Sequence, residues 1–191
     1  MVDMTKKSRA YIGVVYPDSE SYNCTDVLIK LESFFESFAY ITHDKDVDSN
    51  GELLKPHIHW VGYCRNARLL SAVSNCTGLP ENSIEFCKSL KASIRYLVHA
   101  DNKDKFAYDK KDIQGTFEID NFFDKMDSQQ MAQMIFDFIW SDDCQRESDF
   151  VRFAMRNGLY SEIRKSYTIF RAMLNEKKED MYYGRQAEWE E

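Results

Sequence analysis

Apolar and polar positions change period along the chain, and the changes mark its elements. Ala10 to Tyr16 is a short apolar run stopped by Pro17-Asp18, which predicts a strand. Val27, Leu28, Leu31, Phe34 and Phe35 then recur at i, i+1, i+4, i+7 and i+8, the stripe of a helix capped at Thr25 or Asp26. Phe38 to Ile41 predicts a second strand and His57 to Tyr63 a third, with Asn50-Gly51 as the turn signal between them. Asn66 can cap a helix through Leu69, Leu70 and Val73 that ends at Gly78-Leu79-Pro80. Ser83 to Phe86 predicts a fourth strand, and a helix begins at Ser89 or Lys91 and runs through Leu97. Phe106 to Tyr108 and Thr116 to Ile119 have the pattern of short edge strands. The order β-α-β-β-α-β-α, with hairpin-linked strands, predicts an α+β domain built on an antiparallel sheet with packed helices, spanning residues 1–120.

From 121 to 191 the period becomes helical. Met131, Met134, Ile135, Phe138 and Ile139 form one stripe, Phe150, Val151 and Ala154 a second that stops at Gly158, and Ile163, Tyr167, Phe170 and Leu174 a third. Ser128, Ser148 and Ser161 stand where N-caps are expected. The prediction is a small all-α C-terminal domain, with the charged stretch Glu176 to Glu191 extending its last helix or fraying. So small a bundle buries little area alone, which makes it a possible oligomerisation module.

Composition narrows the class. No apolar run approaches the ~18 residues of a membrane span, and the polar Met1 to Arg9 lacks a signal peptide's apolar stretch, so a cytoplasmic protein is expected. Five cysteines without a CxxC pair argue against a disulfide framework and fit buried small hydrophobes in a reducing compartment. The net charge of −7 disfavours strong non-specific nucleic-acid binding. Locally the balance reverses: Lys88, Lys91 and Arg95 are spaced three and four apart, and Lys103, Lys105, Lys110 and Lys111 follow.

Three of the four histidines lie within seventeen residues. His57 and His59 alternate with Ile58 and Trp60, so on a strand both imidazoles point to one face. The Asn50-Gly51 turn brings His43 and Asp46 to the same pair. Three imidazole nitrogens and a carboxylate suit a divalent ion of the Mn, Fe or Zn type, with Mn2+ preferred over Mg2+. Trp60, in the opposite phase, reads as core or as a platform for an unpaired base. In the helix 88–99, Leu90, Ile94, Leu97 and Val98 share a core face, Lys91 and Arg95 share another, and Tyr96 lies toward the polar side. As one of eleven tyrosines, Tyr96 reads either as an interfacial core residue or as a nucleophile beside phosphate-binding cations. His99 reads as a structural hydrogen-bonder or a fourth imidazole ligand.

His57-Ile58-His59 resembles the motif of the HUH endonucleases. The ordered set His43-Asp44-Lys45-Asp46, His57-Ile58-His59, Tyr96-Leu97-Val98-His99 and Tyr108-Asp109-Lys110-Lys111-Asp112-Ile113 more closely resembles the RepB-type initiators of rolling-circle plasmid replication. The resemblance implies a nickase that cuts one strand of origin DNA, single-stranded at the nick site. Its metal would be held by His43, Asp46, His57 and His59. Tyr96 would be the nucleophile, leaving a 5′-phosphotyrosine link and a free 3′-OH primer, with Lys88, Lys91 and Arg95 on the DNA. It also implies a C-terminal module that assembles into rings. No GxxxxGK[ST] loop occurs, so a host helicase as well as a polymerase would be needed. Rival readings are a metal-dependent phosphoester hydrolase that does not act on DNA, a transposase- or relaxase-type strand transferase of the same superfamily, and a non-catalytic protein with a structural zinc.

Overall fold

A computed structural model of the chain describes residues 6–124 and 126–187. Contacts divide it into two compact units, Met1–Phe123 and Asp124–Glu191. The first unit contains β1 (Lys7–Val15), α1 (Cys24–Phe34), β2 (Ser37–His43), β3 (His57–Leu69), α2 (Leu70–Thr77), β4 (Ile84–Phe86), α3 (Leu90–Leu97), β5 (Gln114–Gly115) and α4 (Asp120–Phe123). The five strands form one antiparallel sheet in the order β4-β1-β3-β2-β5, with the His-x-His strand at its centre.

Alternation along the strands sends their side chains to two layers. Tyr11, Val15, Phe38, Ile58, Trp60 and Cys64 point to one face, where Val27, Leu31 and Phe35 of the α1 segment and Leu70 and Val73 of α2 complete the core. Two glycines make room for the large rings of this layer. A Cβ on Gly62 would lie 2.4 Å from the Phe35 ring, and one on Gly13 2.6 Å from the Trp60 indole. Trp60 is 1% exposed, so it is core and not a base platform. The opposite face carries His43, His57 and His59. It is covered by α3, which packs on β2 and β3 through buried Ile94 and Leu97.

Several boundaries differ from the sequence pattern, each for a local reason. Asn23, not Thr25 or Asp26, caps α1, its side-chain oxygen accepting from the Asp26 N–H. Asn66 is not a cap, because β3 runs on to Leu69. A bulge between Ser8 and Ala10 lets β1 keep pairing there, and the Tyr11 hydroxyl donates to the Arg68 carbonyl. Ser89 caps α3 by accepting from the Ala92 N–H. Phe106 to Tyr108 forms no strand. The last strand is only Gln114–Gly115, and beyond it the Thr116 hydroxyl accepts the Phe38 N–H.

The second unit contains α5 (Ser128–Trp140), α6 (Glu147–Arg156), α7 (Tyr160–Lys165) and α8 (Tyr167–Ala187) around Ile135, Ile139, Phe150, Ala154, Ile163 and Leu174. The cap positions of α5, α6 and α7 lie one or two residues before the serines the pattern suggested. Asp127 caps α5 in a box with Gln130, Arg146 precedes α6, and Leu159 precedes α7. Buried Lys177 donates to the carbonyls of Ser141 and Cys144, which satisfies the chain where α5 ends. Residues 188–191 of the expected charged extension lie outside the described residues. Among the described residues no helix is long and apolar enough to cross a membrane.

The glycine contacts predict a cost for added volume. Gly62→Ala should destabilise the protein by about 1–3 kcal/mol, because a methyl there displaces the Phe35 ring from a packed core. Chemical denaturation measures this, and an unchanged midpoint would contradict the packing described.

Candidate metal centre and its tyrosine

The centre is assembled by register. His43 pairs directly with His57 across β2 and β3, so both rings, and His59 two residues on, project from one face. Ring centroids are 5.4 Å apart for His43 and His57, 4.7 Å for His43 and His59, and 4.9 Å for His57 and His59. The connecting loop closes back on itself. The Asp48 carboxylate accepts the N–H groups of Asn50 and Glu52, Gly51 takes a φ of 82°, and the Asp46 carbonyl accepts the Leu54 N–H. This places Asp46, 4% exposed, against the imidazoles.

His99 joins them from the other side. It follows α3 at a φ of 55°, a left-handed conformation that glycine favours, with its N–H donating to the Tyr96 carbonyl. The imidazole thereby turns inward, 4.5 Å from the His43 ring. Such a conformation in a non-glycine residue costs about 1–2 kcal/mol and is typical of functional sites.

The hydrogen bonds fix the tautomers. His43 Nε2–H donates to the Leu97 carbonyl (2.7 Å), His57 Nδ1–H to the Lys55 carbonyl (2.9 Å) and His99 Nδ1–H to the Phe106 carbonyl (2.8 Å). A carbonyl only accepts, so in each neutral ring the other nitrogen carries a lone pair. His43 Nδ1 lies 3.3 Å and His57 Nε2 3.9 Å from Asp46 Oδ2. His43 Nδ1 and His99 Nε2 are buried and make no hydrogen bond. Burial lowers the pKa of His43, and burial together with the neighbouring positive groups pushes that of His59 down to about 3. The His43 ring is thus favoured in its neutral form, with its free Nδ1 turned toward a buried carboxylate.

A divalent cation fits this set. Ligand atoms of His43, His57 and His59 lie within 4.8 Å of one another, as do those of His43, Asp46 and His99. His43 belongs to both groups. His99 makes the structural hydrogen bond through Nδ1, and its Nε2 is buried without a hydrogen bond. The carbonyl behind each of three rings is the outer-shell arrangement that orients metal-binding histidines.

Two residues of the centre had no role in the sequence reading. Tyr108 stacks on His43 (4.4 Å between centroids, 5° between planes), accepts the Lys45 N–H at 2.8 Å and donates to Asp46 Oδ1 at 3.2 Å. Lys105 donates to the Tyr96 hydroxyl at 2.8 Å. Tyr96 itself is 40% exposed, with its ring edge-on to His59 (5.5 Å) and His99 (5.1 Å). The sequence signals of Tyr108 and Lys105 did not point to these contacts: Tyr108 opens the motif Tyr108-Asp109-Lys110-Lys111-Asp112-Ile113, and Lys105 belongs to the run of lysines after Arg95.

The three basic residues of the α3 region separate. Lys88 and Lys91 are exposed and carry no ion pair among the described residues. Lys88 lines a groove of about 930 Å³ that also meets Ile12, Val14, Tyr16, His59 and Tyr96. Arg95 is already neutralised: its guanidinium makes two hydrogen bonds to the Asp101 carboxylate and lies over the Phe123 ring.

The chain is similar to known plasmid replication proteins. Residues 3–120 match the family described as plasmid replication protein, origin binding domain. The chain is 31% identical over 155 residues to replication protein RepB of Lactiplantibacillus plantarum, covering 78% of this chain and 69% of that protein. It is 25% identical over 138 residues to a replication protein of Staphylococcus aureus, covering 70% of this chain and 68% of that one. A replication protein of onion yellows phytoplasma is 27% identical over 95 residues, 44% of this chain and 25% of that protein.

Two outcomes are expected of the centre. Tyr108→Phe keeps the stacked ring but frees Asp46 Oδ1, and should weaken divalent-ion binding by roughly 10–100-fold in a calorimetric titration; unaltered affinity would show that Tyr108 does not hold the carboxylate. Metal-free protein should lose stability as the pH falls from about 6.5 toward 3. In that window the unfolded chain protonates His59 and the folded chain does not. The slope is at most about 1.4 kcal/mol per pH unit for each such histidine. His59→Gln should make it shallower, and an identical slope would contradict the burial argument.

Proposed function

The chain belongs to the plasmid replication proteins that share this origin-binding domain and is a RepB-type replication initiator, and from that premise we propose that it nicks one strand of its origin DNA through Tyr96. The observation that carries the reading is the exposed Tyr96 hydroxyl beside an inward-facing cluster of three histidines and a buried carboxylate.

In the proposed reaction the Tyr96 oxygen attacks the scissile phosphorus in line. The Tyr96–P bond forms as the P–O3′ bond breaks, giving a 5′-phosphotyrosyl link and a 3′-OH from which a polymerase can extend. The phenolic proton passes to water, and the departing oxygen takes one from water. His43, Asp46, His57 and His59 would hold a divalent ion, with His99 in reach of the same place. When bound, such an ion neutralises charge on the reacting phosphate. Mixed imidazole and carboxylate ligands favour Mn2+ over Mg2+.

Lys88 and Lys91 would contact backbone phosphates flanking the nick. Arg95, paired with Asp101, is assigned a positioning role instead. Duplex opening is left to a host helicase, and residues 121–191 are proposed as the oligomerisation module. The match to an origin-binding family favours DNA over a small phosphoester as the substrate.

Incubation with Mn2+ and a labelled single-stranded origin oligonucleotide should give a covalent adduct on a denaturing gel. Tyr96→Phe should abolish the adduct while leaving origin binding within about twofold, since only one hydroxyl is removed at an exposed position. An adduct persisting in Tyr96→Phe would eliminate this nucleophile.

A further inference from the structure

We propose that Lys105 is a catalytic residue: its ammonium holds the Tyr96 oxygen in place and stabilises the charge on it while the tyrosyl–phosphate bond forms and breaks. The proposal rests on the reading of Tyr96 as nucleophile.

The geometry is specific. Lys105 Nζ donates to the Tyr96 hydroxyl at 2.8 Å and sits 5.1 Å from the centroid of the same ring. Lys105 makes no ion pair among the described residues, although Asp101 and Asp104 are close in sequence. Its charge is therefore not spent on a carboxylate, as that of Arg95 is.

The segment that carries it is tied at both ends. Asp101 is gripped by Arg95, and the Asn102 N–H donates to the His99 carbonyl. The Asn102 side chain accepts the Asp104 N–H, and the Phe106 carbonyl accepts His99 Nδ1–H. Arg95 and His99 lie on either side of Tyr96 in sequence, so the helix end that presents the phenol also fixes the loop that presents the ammonium. This gives the Arg95–Asp101 pair a purpose: it aims Lys105.

The chemistry follows from what a phenol oxygen can do. With one lone pair engaged by the ammonium, the other is left for phosphorus, and the O–H points away from the cation. A loose phosphoryl-transfer transition state leaves much of the negative charge on the entering and departing oxygens. In nicking, the entering oxygen is that of Tyr96. In rejoining, a 3′-OH attacks, the O–P bond to Tyr96 breaks, and the same oxygen departs with the electron pair and regains a proton from water. An ammonium fixed at that oxygen favours both directions, as a preorganised donor does elsewhere.

The test uses the full chain with Mn2+ and a single-stranded origin oligonucleotide, comparing Lys105→Met and Lys105→Arg with wild type. Lys105 is exposed, and equal thermal melting of the three proteins verifies the fold. For Lys105→Met the rate of adduct formation at saturating oligonucleotide should fall about 10²-fold, with rejoining slowed by a similar factor. The KM for the oligonucleotide should move less than about threefold, and Lys105→Arg should recover most of the lost rate. A substrate with sulfur in place of the departing O3′ should not rescue Lys105→Met, because the cation acts on the tyrosine oxygen. An unchanged rate, a loss confined to KM, or rescue by the sulfur substrate would each overturn the proposal while leaving Tyr96 as nucleophile. No adduct even from wild type would remove the nucleophile itself, and this proposal with it.

Discussion

A carboxylate buried among imidazole lone pairs is the constraint around which the first unit is arranged. Asp46 is 4% exposed, and no lysine or arginine pairs with it among the described residues. Removing a carboxylate from water costs several kcal/mol unless charge of opposite sign or good donors replace the solvent. The Tyr108 hydroxyl donates to Oδ1, with His99 Nδ1 a further 3.7 Å contact, while Oδ2 faces His43 Nδ1 and His57 Nε2. The cation proposed for this site would resolve that tension. It would also account for the three separate carbonyls, from Lys55, Leu97 and Phe106, that each hold one ring by its far nitrogen. The hairpin loop, the end of α3 and the segment after His99 are thus tied to one point on the sheet.

That tie makes the proposed chemistry a property of the fold. The helix whose end supplies Leu97 and His99 to the centre also carries Tyr96 on its exposed side, so the phenol is held beside the cluster by the same backbone. A net charge of −7 is compatible with a DNA substrate on this account, because Lys88, Lys91 and Lys105 lie on or near the tyrosine-bearing helix. The strength of DNA binding would then depend on few phosphate contacts and on salt.

Much of this could be read from the chain. Period-two alternation around His57 and His59 gave the shared face, Asn50-Gly51 gave the return of His43, and the α3 stripe gave Ile94 and Leu97 as core. What escaped depended on which groups the folded chain brings together. The bulge that lengthens β3 is set by Ser8 and Tyr11, some sixty residues earlier. Pairing of Arg95 with Asp101 depends on how the chain turns at His99, whose left-handed backbone has no sequence pattern of its own. Tyr108 and Lys105 sit in irregular chain, where neither period nor caps say which way a side chain points. Helix starts in the second unit shifted to Asp127, Arg146 and Leu159, because capping depends on which neighbour's side chain reaches the free N–H groups.

The most direct test of the centre is a crystal structure of the protein with Mn2+, read by anomalous scattering at the manganese edge. The account predicts one strong peak bonded at roughly 2.2 Å to ring nitrogens of His43, His57 and His59 and to an Asp46 oxygen, on the face of the sheet that α3 covers. A manganese ion bound elsewhere, with these histidines unligated at saturating metal, would contradict it.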